Sequence, residues 1–232
     1  MLAQSKAKGI SIADYNDKNF ESVRPELQST SHDIAVHTKK VDVASSSQVD
    51  AWIDEVVKQF GGIDGTVNAA GVTQRFGLRN KPNILGETNK MWDRTLGTNL
   101  AGVFYCTRAQ VKGMMDLPRE PRSIVNVASI ASLMHGGDCF SYGVSKVGVA
   151  YLSTSVAQDV LSHNIRVNTV SHGVTKTPMI SQSFGPDAAG QMDTQGFGLI
   201  QSEDVAKAII WFLSSKSSQV AGVNLPVGPG TP

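Results

Sequence analysis

Three side chains within one stretch have the types and spacing for proton chemistry. Ser129 follows an apolar run, Ile124-Val125-Asn126-Val127-Ala128, that reads as a buried strand. Tyr142 comes thirteen residues later and Lys146 four residues after that. Residues 140–162 carry apolar side chains at helical periodicity: Val144, Val147, Val149, Tyr151, Leu152, Val156 and Val160. Positions i and i+4 share one helix face about one turn apart. A phenol and an ammonium are therefore expected side by side, with a hydroxyl at a strand end in reach. A phenol with a pKa of about 10 is a poor acid–base group at neutral pH. A neighbouring Lys⁺ is expected to favour the phenolate and pull that pKa down. The serine hydroxyl can hold a carbonyl or alcohol oxygen while the tyrosine exchanges a proton with it. The plain alternative is an amphipathic helix that carries a Tyr and a Lys by chance.

The elements that must position this trio can be read along the chain. Residues 1–8 suggest the tail of a helix closed by Gly9, and Gly9-Ile10-Ser11-Ile12-Ala13-Asp14 a short strand ending in a carboxylate. Residues 18–30 suggest a helix broken at, or starting from, Pro25. Ile34 to His37 with Val41-Asp42-Val43 make the next strand. A helix follows over 45–60, capped by Ser46 and stopped by Gly61-Gly62, with Val49, Trp52, Ile53, Val56, Val57 and Phe60 on one face. Residues 63–68 read as a strand, and 72–88 as irregular chain bordering a substrate. Residues 91–115 carry one long helical pattern, with Asn99 in its middle where Asn is a mediocre helix former. Residues 119–122 read as a charged surface turn. Strands are expected over 164–171 and 223–227, with a last helix from Ser202 to Leu213.

Composition excludes several classes. The chain has 232 residues and a formal charge of +1, enough for one sizeable domain and no electrostatic case for nucleic acid. No run of about 18 apolar residues is present, so no membrane-spanning helix is expected. The two cysteines, Cys106 and Cys139, do not make a disulfide framework, and a reducing, cytoplasmic setting is the default.

The strand-end Ser129 with the Tyr142-x-x-x-Lys146 pair resembles the classical short-chain dehydrogenase/reductase family. Other pieces of that family's pattern recur in order: Asp42-Val43, Asn68-Ala69-Ala70-Gly71, Asn99 in TNLAGVF, Arg166-Val167-Asn168, Thr177-Pro178-Met179 and a closing VNLPVG. The resemblance runs from Gly9 to Gly228. It implies a single doubly wound α/β domain with a parallel Rossmann-type sheet, spanning the whole chain. It implies NAD(P)-dependent interconversion of an alcohol and a ketone. Tyr142 is then the acid or base, Lys146 its modulator and the holder of the nicotinamide ribose, and Ser129 the anchor of the substrate oxygen. Asn99 makes a kink that positions a water in a proton relay. Asp14 meets the adenosine ribose and favours NAD, since a carboxylate there repels a 2′-phosphate; the alternative is a solvated turn residue. Asp42 and Val43 lie at the adenine, Asn68, Ala70 and Gly71 let a backbone approach the cofactor, and Thr177 bonds its carboxamide or pyrophosphate. His172 replaces the family's usual proline, as a substituted turn residue, and Thr175 replaces an apolar residue on the cofactor side. Residues 179–198 match the loop that closes over substrate. A homodimer or homotetramer through helices 91–115 and 140–162 is implied too.

One part of the pattern is not seen: the first strand and the glycine-rich turn that offers backbone N–H groups to a pyrophosphate. By register Met1 falls inside the family's first helix. Three readings are open. The chain starts at an internal Met of a longer protein. It is a short protein using Ser129, Tyr142 and Lys146 for cofactor-independent isomerase, lyase or cyclase chemistry. Or it is an inactive remnant that binds a partner. The family's first strand is central in its sheet, so two strands are expected to keep unpaired edges, unless the strand ending at Asp14 pairs with the one ending at Asn68 into a six-stranded sheet.

Overall fold

The computed structural model describes residues 1–5, 7–118, 120–188, 190 and 198–229. Among the described residues six strands, all pairing in parallel, form two sheets. Strands β1 (Gly9–Asp14) and β2 (Ala35–Lys40) make one; β3 (Gly65–Asn68), β4 (Arg122–Val127), β5 (Ile165–His172) and β6 (Asn224–Val227) make the other, in that order. β1 and β3 do not pair, so the six-stranded alternative is not what forms.

The two sheets are joined by the helices that cover them. Helix α2 (Ser46–Phe60) packs on β1, helix α4 (Gly102–Met115) packs on β3 and β4, and α2 and α4 pack on each other. One core cluster therefore runs from Val41, Val49 and Ile53 through Cys106 and Met114 to Ile124, Ile165 and Val167. Side-chain alternation along β4 sends Ile124 and Asn126 toward α4 and α5 (Phe140–Val160), and Val125 toward α7 (Ser202–Leu213) on the other face, where Phe212 and Val170 meet it. All six residues of β4 are buried.

The face under α4 and α5 carries a polar network. Asn68 and Asn126 are register partners on β3 and β4, and the Asn68 amide donates to Asn126 Oδ1 at 2.8 Å and to Gln110 Oε1 at 3.0 Å. Gln110 Nε2 returns a bond to Asn68 Oδ1 at 2.8 Å, and Asn126 Nδ2 donates to Ser153 Oγ at 2.8 Å. Each of these side chains is at least nine-tenths buried.

Several local expectations are corrected. Residues 1–5 hold only a 3-10 turn, Ala3–Ser5, and Gly9 opens β1. A Cβ at Gly9 would lie 3.1 Å from the Phe60 ring, so close packing rather than a helix cap accounts for that glycine. Helix α1 (Phe20–Thr30) runs through Pro25 without a break. Ser45, not Ser46, precedes α2, and its side chain makes no capping bond; Gly61 closes that helix at φ +74°. The strand expected to include Val41-Asp42-Val43 stops at Lys40. Arg122 is no surface residue: it starts β4, is buried, and its guanidinium donates to Pro118, Glu120 and Ile63 carbonyls. The long helix is in three parts, α3 (Asn89–Leu96), a π turn (Gly97–Ala101) and α4. Of the expected substrate loop, α6 (Pro178–Phe184) is described, whereas residues 189 and 191–197 lie outside the described residues.

The network sets a cost. Asn126→Leu takes one hydrogen bond each from the Asn68 amide, which keeps Gln110 Oε1, and from the Ser153 hydroxyl, which still donates to Val149 O; each lost bond costs roughly 0.5–1.5 kcal/mol. Urea unfolding of that variant is expected to show a loss of about 1–3 kcal/mol; a loss under about 0.5 kcal/mol would mean the network is not holding the sheet.

Candidate active site

Three elements converge beyond the carboxyl end of β4. Ser129 follows the strand in extended backbone and opens a short 3-10 turn (Ile130–Ser132), with its Oγ accepting from Ala131 N at 3.3 Å. Helix α5 starts after Cys139 and brings Tyr142 and Lys146 to the same place. The Ser129 side chain stands close enough to the Tyr142 hydroxyl to pull its pKa down. Lys146 Nζ donates to Val127 O at 3.0 Å and lies 5.6 Å from the Tyr142 ring centroid. The trio is therefore assembled as its spacing predicts.

Its electrostatics differ from the expectation. Burial raises the Tyr142 phenol above its ordinary 10, only partly countered by the Ser129 side chain. Burial also brings the Lys146 ammonium down from 10.5 to about 8. Both groups are thus pushed toward their neutral forms. Desolvation, not the pull of one charge on the other, dominates this pocket without a ligand. Val127 O is the one hydrogen-bond acceptor seen for Lys146 among the described residues. An ammonium has three donors, so two remain for a polar ligand.

Asn99 sits at the centre of the π turn and is fully buried. Its amide donates to Val72 O at 2.9 Å while its Oδ1 accepts from Val72 N at 2.7 Å, so the side chain pairs with one peptide as a neighbouring strand would. A further bond to Ser145 Oγ at 3.2 Å links it to α5. A Cβ at Gly71 would lie 3.5 Å from Asn99 Oδ1 and 3.8 Å from Lys146 Nζ. The Gly71 backbone thus faces the same space as the lysine, and that space with its spare donors fits a ribose with its hydroxyls.

The other predicted residues are placed unevenly. Asp14 is exposed at the end of β1, with one carboxylate oxygen accepting from Asn16 N at 2.8 Å. Asp42 caps the following turn through Ala44 N at 2.9 Å, and Val43 packs where a Gly102 Cβ would stand, 2.8 Å away. Ala70 is exposed beside Gly71. The Asn68 carboxamide is committed to the network beneath the sheet, which leaves only its backbone to a ligand. Thr175 is buried in the turn after β5; its hydroxyl and the Gly173 carbonyl both meet His172 Nδ1 at 2.9 Å. That binds His172 into the turn, and burial lowers its pKa further below 6.5. Thr177 opens α6 and donates to Thr175 O at 3.3 Å.

Two further groups were not foreseen from sequence. Arg79 lies between Asp138 and Glu87, all three side chains more than nine-tenths buried, with Arg79 Nη1 2.6 Å from Asp138 Oδ1. Asp138 also accepts from Gly77 N at 2.8 Å and takes φ +68°. This cluster ties the irregular loop 72–88 to the entry of α5. Phe76, on the same loop, packs edge-on against Tyr142 at 6.4 Å. Neither has a periodicity or spacing that marks it in a sequence.

The Lys146 shift gives a signed expectation. Between pH 8 and 10.5 the unfolded chain keeps a proton that the folded chain has lost, so stability rises with pH across that window and the burial penalty is fully present below it. Lys146→Met removes the penalty. The variant is expected to melt above the parent at pH 7, with the gap closing toward pH 10.5; a lower melting temperature at pH 7 would refute this balance.

Comparison with known proteins agrees with the geometry. Residues 2–231 match the family model described as enoyl-(acyl carrier protein) reductase. The chain is 43% identical to a chanoclavine-I dehydrogenase of Aspergillus fumigatus and 44% identical to one of Claviceps purpurea, each over 100% of this chain and 91% of the relative. Among solved structures it is similar to levodione reductase (TM-score 0.87, 26% identity, 99% of this chain and 89% of that one). It is similar also to NAD+-bound xylitol dehydrogenase (TM-score 0.86, 25% identity, 99% and 91%). With its parallel sheets, its strand-end serine and its Tyr–Lys helix, the chain belongs to the short-chain dehydrogenase/reductase family and is an NAD(P)-dependent oxidoreductase acting between alcohols and ketones.

Proposed function

We propose that Tyr142, Ser129 and Lys146 carry the reaction, and the observation that supports this most is their convergence at the end of β4, with Ser129 beside the Tyr142 hydroxyl and Lys146 on Val127 O. In reduction the Tyr142 hydroxyl gives its proton to the carbonyl oxygen; in oxidation the phenolate takes the alcohol proton. Ser129 donates to the same oxygen and fixes it. A bound NAD(P) supplies the redox equivalent, a hydride exchanged with the substrate carbon. Lys146 holds the ribose through its two spare N–H groups, and its charge then stabilises the phenolate. Asn99 fixes Val72 and Ser145 and so sets the spacing between α5 and the Gly71 backbone. Gly71, Ala70 and the Asn68 backbone border the cofactor on one side, Thr175 and Thr177 on the other. Asp42 and Val43 lie toward its adenine. Asp14, exposed at the end of β1, selects NAD by repelling a 2′-phosphate.

The relatives' names make chanoclavine-I the first alcohol to assay. With NAD+ and a turned-over alcohol, Tyr142→Phe is expected to lower kcat at least a hundredfold. Oxidation by the parent is expected to quicken as pH rises through 9, because the phenol sits high. Asp14→Ala is expected to raise NADPH use relative to NADH. Turnover by the Phe variant at the parent's rate would sink the assignment, and turnover independent of either nucleotide would point to isomerase, lyase or cyclase chemistry in the same pocket.

A second copy of the chain is the proposed partner of α4 and α5. Val144, Val147 and Tyr151 repeat along the outer face of α5 and are 48%, 45% and 78% exposed, and Phe104 on α4 is 42% exposed. Leu96, Leu100 and Leu152 line an adjoining apolar groove. Apolar side chains in such a row mark an interface. Sedimentation is expected to show a dimer or tetramer that Val147→Asp dissociates; a monomeric parent would rule this out.

A further inference from the structure

Resting on that reading of the reaction, we infer that Phe76 and Phe184 form a ring-stacking wall beside Tyr142 that selects alcohols and ketones bearing a flat aromatic group next to the reacting carbon. Three rings from three elements stand in series. Phe76, from loop 72–88, meets Tyr142 of α5 at 6.4 Å and 77°, and Phe184 of α6 at 5.3 Å and 42°. Both separations fall in the range where aromatic pairs attract through their quadrupoles. The series ends in the open: Phe184 is 46% exposed. Leu133 and Met134, four and five residues past Ser129, are exposed too, at 38% and 53%.

The wall is built rather than incidental. Phe76 N donates to Ser183 O at 2.9 Å, and the Thr73 and Ser183 hydroxyls bond at 2.8 Å. Ser183 is buried, so these bonds are shielded from water and hold the loop against α6 with the two rings adjacent. The Arg79 guanidinium is engaged by both Asp138 and Glu87 and so is not offered to a ligand. A ligand ring laid on Phe184 extends the stack and removes its exposed face from water. A saturated ring of the same size covers the same face without the quadrupole match.

The test compares 1-(2-naphthyl)ethanol and 1-(2-decahydronaphthyl)ethanol, with their ketones, on the full chain. The parent is expected to prefer the naphthyl substrate about tenfold in kcat/KM, and Phe184→Leu to cut that preference to about threefold or less through KM, with kcat within about twofold. Ser183→Ala, a positioning change, is expected to raise KM for the naphthyl substrate alone. Binding of the two ketones, measured by calorimetry with and without NAD+, separates this inference from the reaction. If neither alcohol is oxidised but the naphthyl ketone binds better and loses its advantage in Phe184→Leu, the wall stands and the reaction assignment falls. If turnover occurs without naphthyl preference, or the preference survives Phe184→Leu, or neither ketone binds, the wall is refuted.

Discussion

Strand β4 has no side that water can reach, and the rest of the site depends on that. Both its edges are paired, to β3 and β5, and both its faces are covered by helices. A strand so enclosed cannot slip register without moving apolar side chains to the wrong face. Its end is therefore a fixed point, and every group of the trio is referred to it. Ser129 leaves from that end, Val127 O receives the lysine, and Asn126 reaches through the network to α5 by way of Ser153. Helix α5 is held at both levels, by an amide beneath and an ammonium above.

The electrostatics of the pocket follow from the same enclosure. A Tyr–Lys pair in water would settle into an acid and a base by mutual attraction. Here burial acts on each partner separately, raising the phenol and lowering the ammonium. The pair is a store of unfavourable solvation that a polar ligand relieves. A ribose placed on the spare lysine donors would restore the hydrogen bonds that burial denies, and only then does the charge become useful to the phenolate. On the proposed reading, the cofactor's hydroxyls would serve the proton step as well as binding.

Much of this was legible in the sequence, for physical reasons. The six strands and the helices over 46–60 and 202–213 follow from periodicity, and the Ser–Tyr–Lys spacing needs only a strand end and a helix face. What escaped depends on contacts between segments far apart in the chain. Asn68 reads as a ligand residue but spends its amide on Gln110 and Asn126, 42 and 58 positions away. Arg122 reads as surface charge but is buried and reaches the Ile63 carbonyl, 59 positions away. Arg79 reads as loop polarity but is neutralised by two acids, one of them 59 residues off. The sign of the Tyr142 shift was missed because burial is a property of the whole fold, whereas i+4 proximity is local.

The π turn at Asn99 has a meaning for how such a helix tolerates insertions and deletions. A π turn is an α-helix with one residue too many, so Gly97–Ala101 works as a phase shifter between α3 and α4. Each residue turns the helix by about 100°, and the extra one lets Thr95 on one side and Cys106, Gln110 and Met114 on the other all be buried despite the mismatch in angle. Removing a single residue there would yield a more regular helix with every hydrogen bond intact. It would also rotate one half against the other and turn Asn99 away from Val72. Local regularity and the working site exclude each other at this point in the chain, and a gap in an alignment at these five positions would carry more weight than several substitutions elsewhere.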